Sequence, residues 1–133
     1  MATVLVIDDD ANARLLVRTL LAHAGHTALE AASAEQGLEF AIEARPDLII
    51  VDMSLPGISG PQFLRTLRAD ERTRALNVAL YTASTIDAAT RDFMQIYGVA
   101  TALPKPAEPR ALLAAIEGAL GQRQSRISGI SSP

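Results

Sequence analysis

Val4-Leu5-Val6-Ile7-Asp8-Asp9-Asp10 is an unbroken apolar run that ends abruptly on three carboxylates. Branched aliphatic residues without alternation suit a strand buried on both faces, as in a parallel sheet covered by helices. The acids then fall at the carboxyl end of that strand, where open α/β sheets bind their ligands. Neighbouring carboxylates raise one another's pKa unless a cation or hydrogen-bond donors compensate, so such partners are expected elsewhere in the chain.

Working outward, Leu48-Ile49-Ile50-Val51 repeats the pattern and ends on Asp52, ahead of the Pro56-Gly57 turn signal and Gly60. Val78-Ala79-Leu80-Tyr81 ends on Thr82, while Thr27 to Ala31 and Ala100 to Leu103 are shorter strand candidates, the last running into Pro104-Lys105-Pro106. Helical stripes lie between them. Leu15, Leu16, Leu20 and Ala24 lead to Gly25; Ala34, Leu38, Ala41 and Ile42 follow a capping-box pattern at Ser33-Ala34-Glu35-Gln36 and stop at Pro46. Phe63, Leu64 and Leu67 mark a third helix, Ala89, Phe93 and Ile96 a fourth that stops at Gly98, and Leu112, Leu113, Ile116 and Leu120 a fifth. Strands alternating with helices imply βαβ crossovers and a parallel sheet covered on both faces.

A chain of 133 residues suits one domain with its own core. Residues 1–120 read as that domain, and residues 121–133, rich in Ser, Gly, Gln and Arg, as a C-terminal tail or linker. There is no cysteine, hence no disulfide and no thiolate chemistry. The start carries no secretory pattern and no apolar run reaches membrane-spanning length, so a cytoplasmic protein with no membrane partner is the expectation. A net charge of -3 without a basic cluster disfavours direct DNA binding, and the stretch after Leu120 is too short to supply a DNA-binding domain. Protein partners are expected instead, with homodimerisation left open.

Asp8, Asp9, Asp52, Thr82 and Lys105 all interrupt strands at one sheet edge. Neighbouring strands lie roughly 4.8 Å apart, so carboxylates on adjacent strands can share a cation, and oxygen ligands alone favour Mg²⁺ over zinc. A carboxylate, a hydroxyl and an ammonium around Mg²⁺ suit phosphoryl transfer, with Asp52 as the nucleophile that becomes an acyl phosphate. Asp10 reads as a helix N-cap, His23 and His26 as surface residues of a turn, and Asp47 as a solvated acid.

These motifs, namely Asp8-Asp9, Asp52 within Asp52-Met53-Ser54-Leu55-Pro56-Gly57-Ile58-Ser59-Gly60, Thr82-Ala83 and Lys105-Pro106, resemble the receiver domain of two-component response regulators. The resemblance implies a flavodoxin-like, doubly wound (βα)5 fold with a five-stranded parallel sheet in the order 2-1-3-4-5. It implies phosphorylation of Asp52, with Mg²⁺ held by Asp9, Asp52 and the Ser54 carbonyl and by Asp8 through water. Thr82 and Lys105 would contact phosphoryl oxygens, Lys105-Pro106 would be cis, and Ser54 and Ser84 would flank the path of hydrolytic water. The donor would be a phosphohistidine of a sensor histidine kinase or phosphotransfer protein, and the receiver would be a switch for an output protein, not a turnover enzyme. The closing run resembles receivers at the front of multidomain sensors, so a stand-alone regulator and an N-terminal piece both remain open.

One position departs from the family. Its usual aromatic residue three places before the lysine is Ala102 here, so the readout is expected to run through the backbone of Ala83 to Asp87 and the helix bearing Phe93. Two other functions stay in view. A phosphatase of the haloacid dehalogenase type could use the D-x-D in Asp8-Asp9-Asp10, but Asn12 and the lack of an acidic pair after Lys105 disfavour it, and Asp52 is left without a role. A pseudo-receiver would bind partners without phosphorylation. A flavodoxin-like electron carrier is disfavoured because no Ser/Thr/Gly-rich loop follows the first strand.

Overall fold

The computed structural model describes the backbone of residues 1–131 and the side chains of residues 1–121. β1 (Thr3–Ile7) pairs in parallel with β2 (Thr27–Ala31) on one side and β3 (Leu48–Val51) on the other. β4 (Val78–Thr82) joins β3, and β5 (Thr101–Pro104) joins β4, giving the order β2-β1-β3-β4-β5 that the resemblance implies. The crossovers are α1 (Ala11–His23), α2 (Ala34–Ala44), α3 (Gly60–Ala69) and α4 (Ala88–Tyr97), and α5 (Pro109–Ser131) closes the order.

The unalternating strands have a simple cause: each face of the sheet carries its own core. Leu5, Ile7, Ile49, Val51 and Leu80 pack with Phe63, Leu64 and Leu67 on one face, and Val4, Val6, Ile50 and Tyr81 with Val17, Leu21, Leu112 and Ile116 on the other.

Several helix faces differ from the sequence reading. In α1 the sheet selects Val17 and Leu21, with Leu16 and Leu20 at the margin, while Leu15 and Ala24 are exposed. In α4 the inward line is Thr90, Phe93, Met94 and Tyr97, with the Phe93 and Tyr97 rings in tilted contact at 5.2 Å between centroids. Ala89 is exposed and Ile96 is 75 % exposed. The predicted capping box is also only half made: Gln36 N–H donates to Ser33 Oγ, but the Gln36 side chain accepts from Ala32 N–H instead of from the cap. The reciprocal box belongs to Ser59 and Gln62, which open α3.

The composition change at Gly121 is not a secondary-structure boundary, because α5 continues to Ser131. Gly118 and Gly121 lie in open space within that helix, and no proline interrupts it between Pro109 and Ser131. The part of the tail reading that falls on residues 132–133 lies outside the described residues.

Two residues read as solvated hold the start of β1. Asp47 Oδ2 accepts the Thr3 N–H at 2.8 Å. His26 Nδ1 accepts the Ala2 N–H at 3.0 Å, which leaves Nε2 to donate to Glu117 at 2.8 Å, and the His26 side chain is only 9 % exposed. His23 is exposed as expected.

Candidate functional site

The carboxyl ends of β1, β3, β4 and β5 bring Asp8, Asp52, Thr82 and Lys105 to one point. Asp8 has both oxygens engaged: Oδ1 accepts the Asp10 N–H at 3.0 Å and Oδ2 accepts Lys105 Nζ at 2.6 Å. Asp52 is built the same way, with Oδ1 accepting the Ser54 N–H and Oδ2 accepting Lys105 Nζ, both at 3.0 Å. Lys105 therefore bridges the two buried acids. Its backbone N–H donates to the Thr82 carbonyl at 2.8 Å, the Lys105–Pro106 bond is cis, and the Tyr81 ring lies 5.5 Å from Nζ.

Thr82 is fully buried, and its Oγ1 accepts the Ser84 N–H at 3.1 Å. The turns after β3 and β4 thus share one arrangement, in which the N–H two residues on binds the functional side chain. Ser54 and Ser84, which carry those N–H groups, also hydrogen-bond to each other through their hydroxyls. Asp9 is exposed, yet one carboxylate oxygen from each of Asp8, Asp9 and Asp52 can be chosen so that all lie within 4.8 Å of one another.

Electrostatics separate the two buried acids. Burial pushes Asp52 up, but the Ser54 N–H, the Thr82 hydroxyl and Lys105 outweigh it and hold the carboxyl below its ordinary value. At Asp8 burial wins, helped by the negative charge of Asp52, and the carboxyl sits above its ordinary value despite Lys105 and the Asp10 N–H. Burial likewise pushes Lys105 down, and the two acids more than reverse it. Asp52 is therefore the more firmly ionised of the two buried carboxylates. Three clustered carboxylates against one ammonium leave negative charge that a divalent cation would neutralise, and an all-oxygen donor set fits Mg²⁺.

Asp10 caps α1 by accepting the Asn12 N–H at 2.9 Å, as expected. That engagement turns the last acid of the D-x-D away from the cluster, against the phosphatase alternative. Two contributors were missed in the sequence. Tyr81 underlies Lys105, and Arg14, one turn into α1 from its Asp10 cap, reaches back to the Asp8 carbonyl at 2.7 Å.

Gly60 shows how tightly the Asp52 turn is built. A Cβ there would lie 2.7 Å from Met53 Cα and 3.3 Å from the Asp52 carbonyl oxygen, both of them backbone. Gly60→Ala is expected to destabilise the fold by roughly 1–3 kcal/mol, as other overpacking changes do. Urea unfolding measures this, and an unchanged midpoint would contradict the close approach. Ala102 is half-buried and lines an open groove of about 690 Å³ with Ser84, Thr85, Ile86 and Met94.

A doubly wound sheet with acids, a hydroxyl and an ammonium at its carboxyl edge defines a class, the flavodoxin-like α/β domains equipped to handle phosphoryl groups. The family model described as the response regulator receiver domain matches residues 4–117. PhoB, the phosphate regulon transcriptional regulatory protein of Pseudomonas aeruginosa, is 32 % identical over 118 residues, covering 89 % of this chain and 51 % of that protein. PilH of the same organism is 31 % identical over 121 residues, covering 90 % of this chain and 98 % of PilH. The chemotaxis protein CheY4 of Vibrio cholerae aligns with a TM-score of 0.81 at 29 % identity, covering 88 % of this chain and 97 % of that one. The chain belongs to the response regulator receiver domain family of two-component systems. It spans about half the length of PhoB and nearly all of PilH. Among the described residues, no helix is long and apolar enough to cross a membrane.

Proposed function

We propose that this receiver takes a phosphoryl group on Asp52 from a phosphohistidine of a sensor histidine kinase or phosphotransfer protein, and that the modified domain changes its affinity for an output protein. The observation that carries the reading is the Asp52 carboxylate, buried yet held ionised between Ser54, Thr82 and Lys105. An Asp52 oxygen attacks phosphorus, the donor's N–P bond breaks, and the imidazole leaves with its electron pair. Lys105 then pairs with a phosphoryl oxygen and the Thr82 hydroxyl donates to another. Water later cleaves the acyl phosphate and regenerates Asp52, so the domain acts once on itself per cycle.

Asp9, Asp52 and the Ser54 carbonyl would hold Mg²⁺, with Asp8 reaching it through water. When bound, the ion neutralises the carboxylates and the incoming phosphoryl oxygens. Ala102 has no side-chain rotor, so the readout runs through the Ala83 to Asp87 turn and α4.

Acetyl phosphate with Mg²⁺ is expected to add one phosphoryl group per chain, read by intact-protein mass. Mg²⁺ at a hundred times its dissociation constant should also stabilise the fold by about 2.7 kcal/mol through mass action. A chain that stays unmodified under these conditions would favour the pseudo-receiver instead.

A further inference from the structure

Arg14 lies outside the acid, hydroxyl and lysine set, yet it touches the backbone of the acidic turn. Its Nη1 donates to the Asp8 carbonyl oxygen at 2.7 Å, and its Nε donates to Glu30 Oε1 at 3.2 Å. Glu30, on β2, also binds Arg18 Nη1 at 2.7 Å, so one carboxylate keys two guanidinium groups of α1. The Arg14 side chain is 19 % exposed and that of Arg18 50 % exposed, which makes Arg14 the more buried member of the pair.

The Asp8 carbonyl belongs to the peptide that joins Asp8 to Asp9. Asp8 and Asp52 have their carboxylates fixed by two donors each, whereas the Asp9 side chain is exposed and takes its direction from its backbone. Gripping that carbonyl orients the peptide plane and hence the departure of Asp9 toward the cluster. We infer that Arg14, keyed by Glu30, is a positioning residue that sets the Asp9 carboxylate for Mg²⁺. The inference rests on the reading of Asp8, Asp9 and Asp52 as the cation site.

Charge and geometry make opposite demands here, which makes the inference testable. A guanidinium near the cluster repels a divalent cation, so if Arg14 acted by charge alone, its neutral replacement would tighten Mg²⁺ binding. If it acts by holding the peptide, the same replacement weakens binding. Arg14→Lys keeps the charge and removes the planar fork that reaches the carbonyl and Glu30 together. Losing a partner that orients a ligand lowers metal affinity by roughly ten- to a hundred-fold.

Mg²⁺ titration calorimetry on the whole chain, with amide hydrogen exchange of the metal-free protein, separates these cases. Arg14→Lys is expected to weaken Mg²⁺ at least tenfold, Arg14→Met to bind no tighter than wild type, and Glu30→Gln to follow the same direction. Arg18→Lys should leave affinity unchanged. Without metal, the Asp10 amide of Arg14→Lys, which donates to Asp8 Oδ1, should exchange faster while the thermal midpoint stays near wild type. Wild-type affinity in Arg14→Lys, or tighter binding in Arg14→Met, would overturn the inference, as would a lowered midpoint with unchanged affinity. A wild-type chain that binds no Mg²⁺ would instead remove the cation-site reading, and with it the role assigned to Asp9.

Discussion

Asp52→Asn is expected to abolish phosphoryl incorporation from acetyl phosphate while the chain remains folded. An amide oxygen cannot form the acyl phosphate, but it can still accept the Ser54 N–H that Asp52 Oδ1 accepts at 3.0 Å. The other end of the amide is the problem, because an NH₂ would face the Lys105 ammonium that Asp52 Oδ2 now binds. A donor facing a donor in a buried site costs roughly 1–3 kcal/mol. Part of that is offset, since Asp8 loses the negative neighbour that helps raise its pKa. The acid response should change in a defined direction. Asp52 is depressed, so its ionised form contributes stability above the ordinary carboxylate value of 3.8, and that contribution is lost as pH falls through its folded value. Asp52→Asn should therefore flatten the acid limb of the stability curve. Intact-mass spectrometry provides the main measurement, and a phosphoryl group on the variant would move the acceptor to another residue.

The sheet and the site were legible in the sequence for the same reason. β1, β3 and β4 are buried on both faces, which compels unalternating aliphatic runs, and the polar group at each end stands out against them. Helix faces were less legible. On α1, Val17 and Leu21 take the buried centre with Leu16 and Leu20 packed beside them, while the equally apolar Leu15 and Ala24 face outward, and only the position of the sheet decides which are covered. Ala89 and Ile96 of α4 fail for a related cause, since the helix turns Phe93, Met94 and Tyr97 toward the core and leaves those two outside. His26 and Asp47 were misread because their partners are Ala2, Glu117 and Thr3, and nothing local signals a contact that distant. Arg14 escaped notice because it acts on a carbonyl, a group that every residue carries.

Hydrolysis of the phosphorylated domain should depend on bulk at the two serines that meet across the site. Ser54 follows Asp52 by two residues and Ser84 follows Thr82 by two, and their hydroxyls are bonded to each other over the gap between the turns. Ser54 is exposed and Ser84 half-buried, so water reaches this gap without displacing any large side chain. Ser84→Arg would put a long side chain there and add a cation able to pair with a phosphoryl oxygen, hindering both the approach of water and the departure of phosphate. A slowing of about tenfold is expected, equivalent to about 1.4 kcal/mol on the barrier. Ser54→Arg, on the more exposed side, should slow the reaction in the same sense. Ser84→Ala is the matched control, because it breaks the hydroxyl bridge without adding bulk and should leave the rate within a small factor of wild type. Decay of the acyl phosphate after removal of the donor gives the rate directly. Equal slowing by Ser84→Ala would make the bridge itself the determinant, and wild-type rates in both arginine variants would place the path of water elsewhere.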